Sequence, residues 1–217
     1  MNDVVYYILL IPIGLLSISF HEYMHGKVSH MLGDPTPALM GRLTLNPLAH
    51  LEPMGILALI IFKVGWAKPV PVNPGYYKNP RKGLMYVSLA GPASNFLLAI
   101  FFAGLLRFFA LANNLTTMEL VYYTIITERS SNFLYLITLL LFLGINLNLA
   151  LAIFNLLPLP PLDGSKILMG ILPPRFSRYF YKLEGPVGIL IILALFYFDI
   201  IGKIISPIAG FFLNILL

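Results

Sequence analysis

Between Val4 and Phe20 not one side chain carries a charge, and the run ends on His21-Glu22-Tyr23-Met24-His25. A helix over this stretch is long enough to enter a bilayer, where an ionised side chain near the centre costs roughly 2.5–3.5 kcal/mol. Glu22 therefore calls for a compensating positive charge. Histidines at i and i+4 lie on one side of a helix, so both imidazoles can grip one divalent cation with the intervening glutamate beside it.

The rest of the chain shares the bias. Hydrophobic residues make up 59% of the 217 and charged residues 11%, which excludes an ordinary soluble domain and points to an all-α polytopic membrane protein. Spans of about 20 residues consume most of this length, so residues 1–217 are read as a single integral-membrane domain, a bundle of about four to six transmembrane or re-entrant helices. The net charge of +5 is no sign of nucleic acid, because the basic residues sit in loops beside apolar runs, as orientation signals do. With no cysteine, any metal site must use His, Asp or Glu. The first apolar run is too long, and too polar at its far end, for a cleaved signal peptide.

Taken in order, residues 4 to about 31 predict a first span, kinked at Pro12 and ended by Gly33-Asp34-Pro35. Arg42 to His50 alternates and then turns at Pro47, which predicts a short β-hairpin or edge strand near residues 39–50. Residues 54–62 are apolar but short, hence re-entrant or interfacial. Lys63 to Lys82 is basic and proline-rich, an extended connector. A second span is expected from about Leu84 to Leu111. It includes Gly91-Pro92-Ala93-Ser94-Asn95, whose small residues let another helix approach and whose Pro92 frees a carbonyl; Asn95 there suits interhelical packing. A third span, about Asn132 to Leu157, should stop at Pro158, with an extended stretch to Asp163, a turn at Gly164 and a short helix over Lys166 to Leu172. Residues 187–217 suit either one long tilted span or two half-spans broken near Asp199.

Loop charge sets an orientation. Residues 63–82 and 166–182 are basic while 113–131 are not, which places the first two in the cytoplasm, the N-terminus outside, and His21, His25 and Asp163 at similar depth toward the cytoplasmic face. Two imidazoles and one carboxylate are a complete protein ligand set for a catalytic zinc, which keeps its fourth position open. His30, on another helix face, suits an interface, and His50 a local hydrogen bond.

His21-Glu22-Tyr23-Met24-His25, Gly91-Pro92-Ala93-Ser94-Asn95, and Asn155-Leu156-Leu157-Pro158 leading to Leu162-Asp163-Gly164 resemble, in order, the three signature motifs of the site-2 protease family of intramembrane zinc metalloproteases. Arg42 to Gly55 is similar to small prokaryotic members that lack PDZ or CBS modules, and the resemblance implies a member without the extra leading helix of larger ones. The resemblance implies one Zn2+ per chain bound by His21, His25 and Asp163, with Glu22 as general base. It implies that Asn155 orients the substrate or the developing oxyanion, and it brings Asn95 along as a motif member suited to packing. The substrate it implies is a membrane-anchored protein in a cell membrane. Such a substrate must unwind before water can attack, and the Arg42 to His50 strand offers an edge to hold it extended. A membrane zinc or divalent-metal transporter is the alternative, since intramembrane His and Asp also mark ion paths, although these residues gather at one depth and transport gives Glu22 no task. An inactive scaffold would normally lack a ligand or the base.

Overall fold

The computed structural model describes residues 3–55, 57, 65–126, 132–176, 180 and 182–217. The first helix, α1, runs Asp3–Met31 through Pro12 without a break. A single turn, α2, covers Thr36–Leu39. The second long helix, α3, is Pro80–Ala112, entered through Asn79, whose side chain accepts from the Lys82 N–H, with proline in the first turn where no donor is missed. A short helix, α4 (Thr117–Val121), opens on a reciprocal Thr116–Glu119 cap and widens into Tyr122–Ile126. The third long helix, α5, is Asn132–Leu156. Then come α6 (Asp163–Ile171), α7 (Pro186–Tyr197) and α8 (Ile200–Leu216).

By length and apolarity α1, α3 and α5 can each cross a membrane, and α7 with α8 form a pair bent by 73°. The 187–217 region is thus two helices. The break is at Phe198 and Asp199, where Asp199 takes a left-handed φ of 54°. Helices α3 and α5 pack most extensively, α1 lies against both, and α8 lies against α5. Their common core holds Ala99, Ala103, Leu106, Ile145 and Leu149, all almost fully buried.

Two expectations are corrected. Residues 39–50 form no strand, and none occurs among the described residues: an irregular extended run leads to a turn at Pro47–Ala49, with Asn46 as its cap. The reason is visible in its partners. The His50 ring donates to the Thr44 carbonyl, and Arg42 donates to carbonyls across the gap, so side chains take the place of ladder bonds. Nor is Gly164 a left-handed turn. It lies inside α6, which starts at Asp163, and a Cβ there would collide with the carbonyls of Leu156 and Leu157. Glycine serves close approach here, seating the start of α6 on the end of α5. The re-entrant reading of 54–62 falls mostly outside the described residues.

Candidate metal centre

Along α1, Ser17, His21, His25 and Ser29 recur every four residues and all four are buried, a polar stripe on an apolar helix. Four-residue spacing keeps such side chains on one face. His21 and His25 aim their Nε2 atoms at a common point, 2.9 Å apart. Asp163 brings Oδ2 to 3.2 Å from His21 Nε2 and 3.1 Å from His25 Nε2. Those separations approach the roughly 3.3 Å between neighbouring ligand atoms in a tetrahedron with bonds of about 2.0–2.1 Å, the dimensions of zinc sites. Glu22 joins the same cluster, its carboxylate within 4.8 Å of the two imidazoles.

Each imidazole is held from behind. His21 Nδ1 donates to Asn95 Oδ1 at 2.6 Å, and His25 Nδ1 donates to the Val87 carbonyl at 2.6 Å. With both Nδ1 positions so engaged, each Nε2 is left with its lone pair toward the cluster, the arrangement that a metal-ligating histidine adopts. The carbonyl used is Val87, one residue before Ser88, whose carbonyl lacks its helical partner because Pro92 has no N–H. Asn95 is itself fixed: its Nδ2 donates to Asn148 Oδ1 at 2.9 Å, and Asn148 donates to Ser17 Oγ at 2.9 Å and the Gly144 carbonyl at 2.8 Å. One buried polar chain therefore links α1, α3 and α5 behind His21.

Gly91 supplies the remaining wall. A Cβ at this position would lie 2.5 Å from the Nε2 atoms of both His21 and His25, inside the space between the ligands. Only a bare backbone lets α3 come so near, and the cradle fits a small cation. Asp163 is delivered by α6, which packs against the start of α3: Arg81 donates to the Met169 carbonyl at 2.6 Å, and Gly170 faces Met85.

Of the residues singled out from sequence, His21, Glu22, His25 and Asp163 are brought together. Asn155 is in the last turns of α5, immediately before the carbonyls that meet Gly164, and its Nδ2 donates to the Leu151 carbonyl of its own helix at 3.0 Å. His30 is exposed, with Nδ1 3.2 Å from the Asp34 carbonyl, and His50 pairs locally with Thr44, as expected of His50. Asn95 does more than pack, since it holds a ring of the cluster. The signal for it was available: Gly91 and Asn95 are four apart, so the residue that admits the imidazoles and the one that orients His21 share a face.

The family model for peptidase family M50 matches residues 7–196, nine-tenths of the chain and every residue of the cluster. The chain belongs to peptidase family M50. YwhC of Bacillus subtilis is 37% identical over 182 residues, covering 84% of this chain and 77% of that one. Rip2 of Mycolicibacterium smegmatis is 32% identical over 198 residues, 87% of this chain and 66% of that one. Rip2 of Mycobacterium tuberculosis is 29% identical over 178 residues, 79% and 60% respectively. All three carry "zinc metalloprotease" in their names, and the last two extend beyond the matched region by about a third or more of their length. No solved structure gives a significant match. For this M50 chain, zinc is the cation that the two imidazoles and the carboxylate suit.

Proposed function

We propose that the chain is an intramembrane zinc metalloprotease that hydrolyses peptide bonds of membrane-anchored proteins, with His21, His25 and Asp163 as metal ligands and Glu22 as general base. The observation that carries the reading is the convergence of two Nε2 atoms and one carboxylate oxygen at 2.9–3.2 Å, on helices apolar enough to span a membrane. Bound zinc supplies Lewis acidity toward a carbonyl and toward water, whose pKa such sites bring to about 7.

The side chains divide the remaining work. Glu22 Oε2 accepts from the Val70 N–H at 2.8 Å, while Oε1 accepts from no protein group among the described residues. That free oxygen is the one to take a proton from water and pass it to the leaving amine. Asn95 and the Val87 carbonyl hold the imidazoles in one tautomer throughout. Asn155 turns its amide from Leu151 toward the substrate or the developing oxyanion, a small change at a helix end.

The orientation belongs to the same proposal. Basic Lys27, Arg42, Lys68, Lys78, Arg81, Lys82 and Lys166 lie on the segments that surround the centre, and this end faces the cytoplasm with the N-terminus external. A transport path has no support, because the candidate ligands form one cluster instead of a staggered series.

The test compares wild type with Glu22→Gln in lipid vesicles, using a membrane-anchored reporter peptide and metal analysis. The variant is expected to keep one zinc per chain and lose hydrolysis. Undiminished cleavage by the variant would remove Glu22 from the base role.

A further inference from the structure

The Pro69–Val70 peptide unit is gripped at both polar ends. Its N–H donates to Glu22 Oε2 at 2.8 Å. Its carbonyl accepts from Arg42 Nη2 at 3.3 Å, and the same nitrogen donates to the Lys68 carbonyl at 2.6 Å. Since Pro69 and Pro71 have no N–H, Val70 carries the one backbone donor of this tripeptide, and it is spent on Glu22.

Everything around the unit holds it there. The Lys68 N–H donates to the His50 carbonyl at 2.8 Å, and the Asn73 N–H donates to Asp34 Oδ2 at 2.7 Å. Gly26, one turn after Glu22 on the same face of α1, leaves room for the approach: a Cβ there would lie 2.9 Å from Leu43 Cδ2 and 3.1 Å from Val70 Cγ1. Arg42 is 8% exposed and forms no ion pair among the described residues. A guanidinium kept from water without a carboxylate in contact is expensive, and carbonyl dipoles alone offset it only in part. Its negative counterpart is Glu22, one peptide group away.

We propose that Arg42 is a positioning residue for Glu22, acting through the Pro69–Val70 peptide. The guanidinium fixes the plane of that peptide and polarises it, so that the N–H at its other end holds the carboxylate at a set distance from His21 and His25. Hydrogen bonds in series strengthen one another in this way. The inference rests on Glu22 being the general base, and it assigns to the 42–50 segment the work of holding the connector that pairs with the base.

The experiment uses the full chain in lipid vesicles, zinc-loaded, with a membrane-anchored reporter peptide, and compares Arg42→Met, Arg42→Lys and Glu22→Gln. Misplacing a reacting group costs on the order of 10- to 100-fold, so Arg42→Met should lose about that much kcat. KM should stay within about twofold, as for an interaction expressed in the transition state. Zinc content should be unchanged, and Arg42→Lys, which keeps a charged donor, should recover part of kcat. A second readout needs no activity. In zinc-free protein labelled with 15N-valine, the Val70 amide should exchange with solvent at least about tenfold faster in Arg42→Met than in wild type, as expected for a bond that opens locally.

Unchanged kcat in Arg42→Met beside an inactive Glu22→Gln overturns the proposal, and so does loss of zinc with no recovery in Arg42→Lys, which marks a purely structural tie. An active Glu22→Gln instead removes the base reading. The Val70 exchange rate then decides by itself whether Arg42 holds the peptide, and an unchanged rate refutes it.

Discussion

Helices α3 and α5 face each other along their length, yet the two halves of that interface are built from different materials. Away from the metal centre, Ala99, Phe102, Ala103 and Leu106 interlock with Leu141 and Ile145, and Leu120 of α4 closes the end. Toward the centre, Asn95 meets Asn148, and both are wholly buried. In lipid, apolar contact between helices gains nothing from water release, so the first half relies on close fit and dispersion. The second half joins the same helices through amide hydrogen bonds that also determine where an imidazole points. Close fit sets the distance between the helices, and the polar seam sets the aim of the His21 ring.

If that division is right, damage to the two halves should separate cleanly. The largest effect is expected from Gly91→Ala, whose methyl would stand 2.5 Å from both Nε2 atoms. Metal analysis of the purified protein should find zinc binding abolished, with the helical content by circular dichroism retained. Asn95→Leu removes the acceptor from His21 Nδ1 while keeping the number and branching of the side-chain heavy atoms. Loss of such an outer partner weakens metal affinity about 10- to 100-fold, measurable by competition with a chelator. Leu106→Ala should do the reverse: it lowers resistance to unfolding in mild detergent by about 2–5 kcal/mol while zinc affinity stays at the wild-type value. An Asn95→Leu protein with unaltered zinc affinity, or a Leu106→Ala protein that loses its metal, would erase the distinction.

The smallest effect lies at the loop end of α1. Burial tends to push the Asp34 carboxyl up, but donors from the Asn73 N–H, Thr36 and Ser29 outweigh it and hold the group below its ordinary value. A carboxylate with a depressed folded pKa contributes stability that is complete above its unfolded value of 3.8 and is lost as pH falls through the folded value. Wild type should therefore lose stability relative to Asp34→Asn on acidification below about pH 4, and the gap between their melting temperatures should narrow there. A gap that stays constant with pH would detach Asp34 from this role.

The sequence made the spans and the candidate metal-binding cluster legible for physical reasons. Uninterrupted apolar length has few uses outside a membrane, and two histidines one helical turn apart with a glutamate beside them do chemistry through local geometry alone. Asp163 was legible by depth, since Pro158 stops the helix before it. What could not be read depends on contacts between distant segments. Nothing local to Asn95 shows that His21 of α1 lies against it, and nothing local to Val70 shows that its N–H meets Glu22. The alternation at 42–46 suggested a strand because period two describes an extended chain, whereas a strand also needs a ladder partner, and here Arg42 and His50 bond to carbonyls instead. Gly164 was assigned to a turn for its free φ, although its value lies in the carbonyls it can lie against. At Asp199 the sequence left one span or two open, because a single left-handed residue leaves no pattern in hydropathy.

The bareness of Gly91 also restricts traffic. With main chain of α3 pressed against both imidazoles, that flank of the centre is sealed, and a scissile bond can arrive only from another side.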